Sequence, residues 1–134
     1  FMIYALYYSR CFSKFKVSKR MKIYNSTQKN LIADDVKVAN TFIARTLGLI
    51  TKKIIAESEV LVIKPCNSIH TFFMKFPIDV LFVDANDEIV ALYENVKPWR
   101  ILPIHFNSLY VVELKAGQIS AKKIVKHDII QIEE

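Results

Sequence analysis

Residues Ile78–Glu94, "IDVLFVDANDEIVALYE", constrain the fold of this chain more than any other stretch. Two runs rich in β-branched and aromatic residues, Ile78–Asp84 and Glu88–Glu94, flank the short polar sequence "AND". Asn and Asp accommodate tight turns and the flanking residues favour extended backbone, so the segment reads as a β-hairpin. The pattern recurs along the chain. "KIYN" and "KNLIADDVK" (Lys22–Asn25 and Lys29–Lys37) read as a second hairpin joined by "STQ", and "EVLVIKP" as a buried strand ending at Pro65. "LYVVELKAG" reads as a strand ending at Gly117, and "DIIQIEE" as a last one.

Helical signal is sparse. Val38, Phe42, Ile43, Leu47 and Ile50 fall at helical spacings, which predicts a short amphipathic helix over Val38–Ile50 with Gly48 as its stop. "QISAKKIVK" predicts one or two helical turns, and Asn95–Ser108, with two prolines and one tryptophan, a long ordered loop. About seven strands with one or two short helices imply a mainly β fold, an antiparallel β-sandwich or a partly open barrel.

At 134 residues the chain suits one domain, and a domain of this size buries roughly two-thirds of its unfolded surface. A hydrophobic content of 52% argues against disorder, and two glycines leave no material for a phosphate-cradling loop. No cofactor is expected. The formal charge of +6 is unevenly placed: five of the 19 basic residues lie in the first twenty positions, so 14 face the 13 acidic residues of Met21–Glu134. Nucleic acid is therefore not the expected partner of the body of the chain.

The first twenty residues, "FMIYALYYSRCFSKFKVSKR", place their apolar run before their positive charge, the reverse of a secretory signal. Phe1–Tyr8 is also far shorter than the roughly 20 apolar residues of a membrane-spanning helix. The expectation is a disordered leader, or sequence upstream of a true start at Met21; a basic, aromatic membrane-surface anchor is the alternative. Cys66 is the single cysteine of the body, which suits a reducing compartment and a cytoplasmic location.

Three constellations carry potential chemistry. Cys66, His70 and Met74 are borderline or soft metal ligands spaced by four. Four residues of strand span about 13 Å, while ligands lie within about 2 to 2.5 Å of a shared ion, so a straight strand cannot chelate with them. They are expected to share one face of an extended segment. Asp79 interrupts "FPIDVLFV", and Glu113 interrupts "LYVVELKAG" in the same manner. A buried carboxylate needs a partner or a wet cavity. Together with His70, and with Arg45 or Arg100 to offset charge, the two would form an acid/base group if the strands adjoin. Trp99 and Arg100, in the long loop, form an aromatic and cationic pair able to cover a small ligand.

"IARTLGLI" (Ile43–Ile50), "CNSIHTFFMKFPIDVLFVDANDEIV" (Cys66–Val90) and "VVELKAG" (Val111–Gly117) resemble, in order and spacing, the three signature blocks of the domain of unknown function 192 family. The resemblance covers Met21–Glu134 and leaves the leader outside. It implies a small, mostly β, sandwich-like domain of a chiefly prokaryotic family without an assigned activity. Many members are exported, whereas this chain lacks a recognisable signal. By motif position Arg45, His70, Met74, Asp79 and Glu113 match the family pattern.

The functional expectation is a domain that binds a small polar ligand or a protein partner in a cleft. Its wall would be the Cys66–Asp84 block and its cover Asn95–Ser108. A hydrolase using His70, Asp79 and Glu113, and a metal protein using Cys66, His70 and Met74, are the alternatives.

Overall fold

The computed structural model describes residues 20–41, 49 and 52–134. The expectations for residues 1–19, and for most of the predicted helix, fall outside them. Among the described residues seven strands form one sheet: β1 (Met21–Asn25), β2 (Asn30–Ala39), β3 (Glu59–Ile63), β4 (Ile78–Val83), β5 (Ile89–Val96), β6 (Tyr110–Lys115) and β7 (Ile130–Glu133). Their order across the sheet is β5-β4-β6-β3-β2-β1-β7. Both predicted hairpins form. β1 pairs with β2, and β4 with β5, where the Asp84 carboxylate accepts the amides of Asn86 and Glu88 and so closes the "AND" turn. Every neighbouring pair is antiparallel except β2 with β3.

The start of the predicted helix is corrected by that parallel pair. Val38 and Ala39 end β2, opposite Val62 and Ile63 of β3. Val36 and Val38 fit a period of two as well as a helical one, and the pairing with β3 decides between them.

The sheet curls until its two edges meet at one end. Glu88 bridges Ile129, and three backbone bonds of 2.9 Å cross there: Ile130 N–H to Asp87 O, Ile89 N–H to Asp128 O, and His127 N–H to Ile89 O. Beyond Ile89 no backbone bond joins β5 to residues 119–127 among the described residues. The architecture is thus a partly open barrel, a single curled sheet rather than a sandwich of two.

Two apolar clusters lie on the two faces of the sheet. The interior cluster takes residues from every strand, including Ile23, Val36, Val60, Leu81, Ile89, Val112 and Ile130, and the single helical turn α1 (Gln118–Ala121) adds Ile119. The outer cluster holds Leu61, Ile63, Ile78, Val80, Phe82 and Val111. Strand β4, inner and outer residues alternating, is buried at every position, which is why it reads as an unbroken apolar run. Each such Val, Ile, Leu or Phe contributes about 1.5–3 kcal/mol relative to exposure.

The outer cluster is covered by two irregular segments, residues 64–77 and 97–109. They run antiparallel: Thr71 N–H donates to Arg100 O, Leu102 N–H to Ile69 O, and His105 N–H to Asn67 O. Ile69, Met74 and Leu102 point into the outer cluster. The predicted long loop is therefore shorter than expected, since Asn95 and Val96 complete β5 and the remainder forms this cover.

Candidate functional site

Thr71 organises the cover. It is fully buried, and its hydroxyl donates to Lys97 O at 2.7 Å and accepts the Arg100 amide at 3.0 Å. Its carbonyl accepts the amides of Trp99 at 3.0 Å and Met74 at 3.3 Å. This set of bonds fixes the two turns that carry Phe73 and Trp99. Both residues sit in the left-handed backbone region, each with φ 65°. That conformation is a rare one for a bulky side chain and costs on the order of 1–3 kcal/mol. Their rings nevertheless meet edge to face at 4.8 Å and both stay exposed. Phe72 extends the group, 5.7 Å from Trp99 and 5.0 Å from the His70 ring.

Outward from this cluster project Ile101, Ile104 and Phe106, the last 87% exposed. Neither covering segment contains an acid between residues 64 and 77 or between 97 and 108, whereas Lys64, Lys75, Lys97 and Arg100 lie there. The block and the loop expected to wall and cover a cleft thus pack directly on one another. Together they present an aromatic, cationic lobe.

The proposed ligand triplet does not converge. Met74 is buried in the outer cluster, His70 is exposed against Phe72, and the Cys66 thiol donates to Ser68 O at 3.1 Å. Cys66 packs against the same outer cluster as Met74, and His70 alone faces outward; the turn at Phe72–Phe73 separates His70 from Met74. The expectation that the three share a face is corrected accordingly. Among the described residues no group of three His, Cys, Asp or Glu side chains is placed to hold a metal.

Asp79 and Glu113 also part. Asp79 stands opposite Leu114, while Glu113 stands opposite Val80 and Leu61. Leu114 belongs to the interior cluster, and Val80 and Leu61 to the outer one, so the two carboxyl groups lie on opposite faces of the sheet. With His70 on the exposed lobe, the proposed acid/base group is dispersed over three environments. Asp79 already has its partners: Oδ1 accepts Asn95 N–H at 2.8 Å, and Oδ2 accepts Gly117 N–H at 3.0 Å and Ile119 N–H at 2.8 Å. It ties the end of β5 and the entry of α1 to β4, with Gly117 at φ 95° supplying a turn that other residues rarely adopt.

Glu113 is the opposite case. Its Oε2 is buried without a hydrogen-bond partner among the described residues, and burial pushes its carboxyl up to about 8. Arg100 donates at 3.4 Å to Trp99 O and serves neither carboxyl group, and Arg45 lies outside the described residues.

A groove of about 730 Å³ follows the open seam between β5 and residues 119–126, lined by Tyr93, His105, Ser120, Lys123 and Lys126. The Tyr93 hydroxyl and His105 Nε2 are hydrogen-bonded there at 2.8 Å. None of the residues singled out in the sequence lines this groove. Sequence reasoning also missed Thr71 and the buried pair Asn25 and Asp128. In that pair the Asn25 amide donates to the Asp128 carboxylate at 2.7 Å, joining β1 to the turn before β7. The signal that drew attention to Asp79, a polar residue with apolar neighbours on both sides, is missing at Asp128, which follows Lys126 and His127 in "KHDIIQI".

Among the described residues no helix is long and apolar enough to cross a membrane. Comparison with known proteins agrees with the blocks read from the sequence. A UPF0127 protein of Pyrococcus horikoshii is 35% identical over 100 residues, spanning 71% of this chain and 84% of that protein. Another, from Pyrococcus furiosus, is 32% identical over 112 residues, 80% of this chain and 94% of its own length. A solved structure of a protein of unknown function from Novosphingobium aromaticivorans matches with a TM-score of 0.72 at 17% identity, over 84% of this chain and 83% of that one, a likeness of fold. The model of the DUF192 family, described as "Uncharacterized ACR", matches residues 23–132, and the chain belongs to that family.

Proposed function

We propose that this domain is a binding module, and that the lobe formed by residues 64–77 and 97–109 is its contact surface. The observation that carries the reading is the exposed pair Phe73 and Trp99. Two large aromatic residues are held in a costly backbone conformation, and neither ring is buried in a core by it. Strain that brings no burial is better accounted for by an encounter than by folding. The absence of acids from both segments, against the exposed Lys75, Lys97 and Arg100, favours an anionic partner. The bonding of Asp79 and the parting of Glu113 from it weigh against acid/base catalysis by those groups.

Amide chemical shifts of the labelled chain, titrated with an acidic peptide, small polyanions and anionic vesicles in turn, test the proposal. At least one of these probes is expected to move residues 70–75 and 97–106 selectively, and Trp99→Gly to abolish the response while leaving the thermal midpoint unchanged. A lobe silent to all three, or a Trp99→Gly variant that melts several degrees lower, overturns it. A second reading, a small polar ligand, is favoured by the seam groove with its paired Tyr93 and His105. Shifts confined to His105, Ser120 and Lys123 select that reading instead.

A further inference from the structure

Resting on the reading of the lobe as the contact surface, we infer that its partner is the headgroup layer of an anionic lipid bilayer, on which the domain lies without crossing it. The outward apolar groups are of the kind that enter an interface: Trp99 and Phe73, and beyond them Ile101, Ile104 and Phe106. Lys75, Lys97 and Arg100, all exposed, accompany them, and long cationic side chains reach acidic headgroups while their stems stay in apolar surroundings. No acid in either segment opposes a negative surface, and a juxtamembrane cation gains most where anionic lipid is concentrated.

Single-stranded nucleic acid, the other polyanion that favours aromatic and basic surfaces, fits less well. It requires ring faces free for stacking along a charged groove. Here the Trp99 ring is engaged by both Phe72 and Phe73, and the most exposed groups include two isoleucines, which neither stack nor reach a base edge. A protein partner would need an acidic, hollow counterpart and is an outcome of the test.

Trp99 is the only tryptophan of the chain, so its emission reports on the lobe alone. The experiment uses the full chain with phosphatidylcholine vesicles, with and without phosphatidylserine, and with brominated lipids as depth-resolved quenchers. Because the first twenty residues are also basic and acid-free, co-sedimentation alone is not the readout. The expected result is a blue shift of Trp99 and quenching by bromines near the headgroup, only with phosphatidylserine and weakening with salt. Ile101→Ser with Phe106→Ser should weaken the apparent affinity about tenfold, and Lys97→Glu with Arg100→Glu should remove the phosphatidylserine dependence. Co-sedimentation with unchanged Trp99 emission, or the same shift from soluble glycerophosphoserine, overturns the inference. If vesicles leave Trp99 unaffected while an acidic peptide shifts it, the lipid inference fails and the lobe as contact surface stands.

Discussion

The hydroxyl of Thr71 accepts the amide of Arg100 at 3.0 Å, across 29 residues of chain, while donating to Lys97 O at 2.7 Å. One buried side chain thereby fixes the turn on which Trp99 stands. Thr71→Val keeps the shape and removes both bonds, leaving a donor and an acceptor unpaired. The expected loss is about 1–3 kcal/mol in urea denaturation, with lower Trp99 anisotropy and readier quenching by iodide. Unchanged anisotropy at wild-type stability would show that the turn holds itself.

Asp79→Asn tests whether the carboxylate is structural. An amide in its place turns a donor toward at least one of the three backbone N–H groups now facing carboxylate oxygens. Hydrogen bonds to a charged group are worth about 1.5–3 kcal/mol, so a loss of roughly that size or more is expected. Hydrogen exchange should rise at Gly117 and Ile119. A variant as stable as the parent, with those amides still protected, contradicts the assignment.

Much of the fold was legible because it is local. Hairpins announce themselves through turn chemistry between apolar runs, and both were readable from "STQ" and "AND". The parallel β2–β3 pair was not, because its register depends on a crossover and not on a turn. The site was legible in a different proportion. Asp79 stood out as a carboxylate needing a partner, yet its partners are backbone amides, which no side-chain pattern displays. Its parting from Glu113 follows from register: one residue of offset between β4 and β6 sends a side chain to the other face. The rhythm of Cys66, His70 and Met74 misled in its last step because Phe73, a residue type that disfavours positive φ, takes that conformation and turns the chain between His70 and Met74.

Glu113 imposes a pH dependence whose sign is opposite to that of a salt-bridged acid. Its folded-state pKa is raised by burial from 4.5 to about 8. Between those values the unfolded chain has released the proton and the folded one retains it, so stability falls as pH rises through the window and levels off above about 8. The slope approaches about 1.4 kcal/mol per pH unit at its steepest. Glu113→Gln preserves the shape and cannot titrate, so its denaturation midpoint should lack this component and exceed that of the parent at pH 8. Parallel curves for the two proteins from pH 5 to 8 would show that Glu113 ionises without penalty.

The left-handed backbone at Trp99 and Phe73 makes a prediction that separates strain from packing. At an ordinary loop position Ala is at least as favourable as Gly, because glycine loses more conformational freedom on folding. At φ 65° the order reverses, since a Cβ is crowded there and glycine is not. Trp99→Gly should therefore be more stable than Trp99→Ala by about 1 kcal/mol, and Phe73→Gly than Phe73→Ala likewise. Both variants of each pair lose the same ring, so the difference isolates the backbone. Should Ala equal or exceed Gly at both positions in chemical denaturation, the turns carry no strain, and the argument that the aromatic pair is held outward at a cost loses its premise.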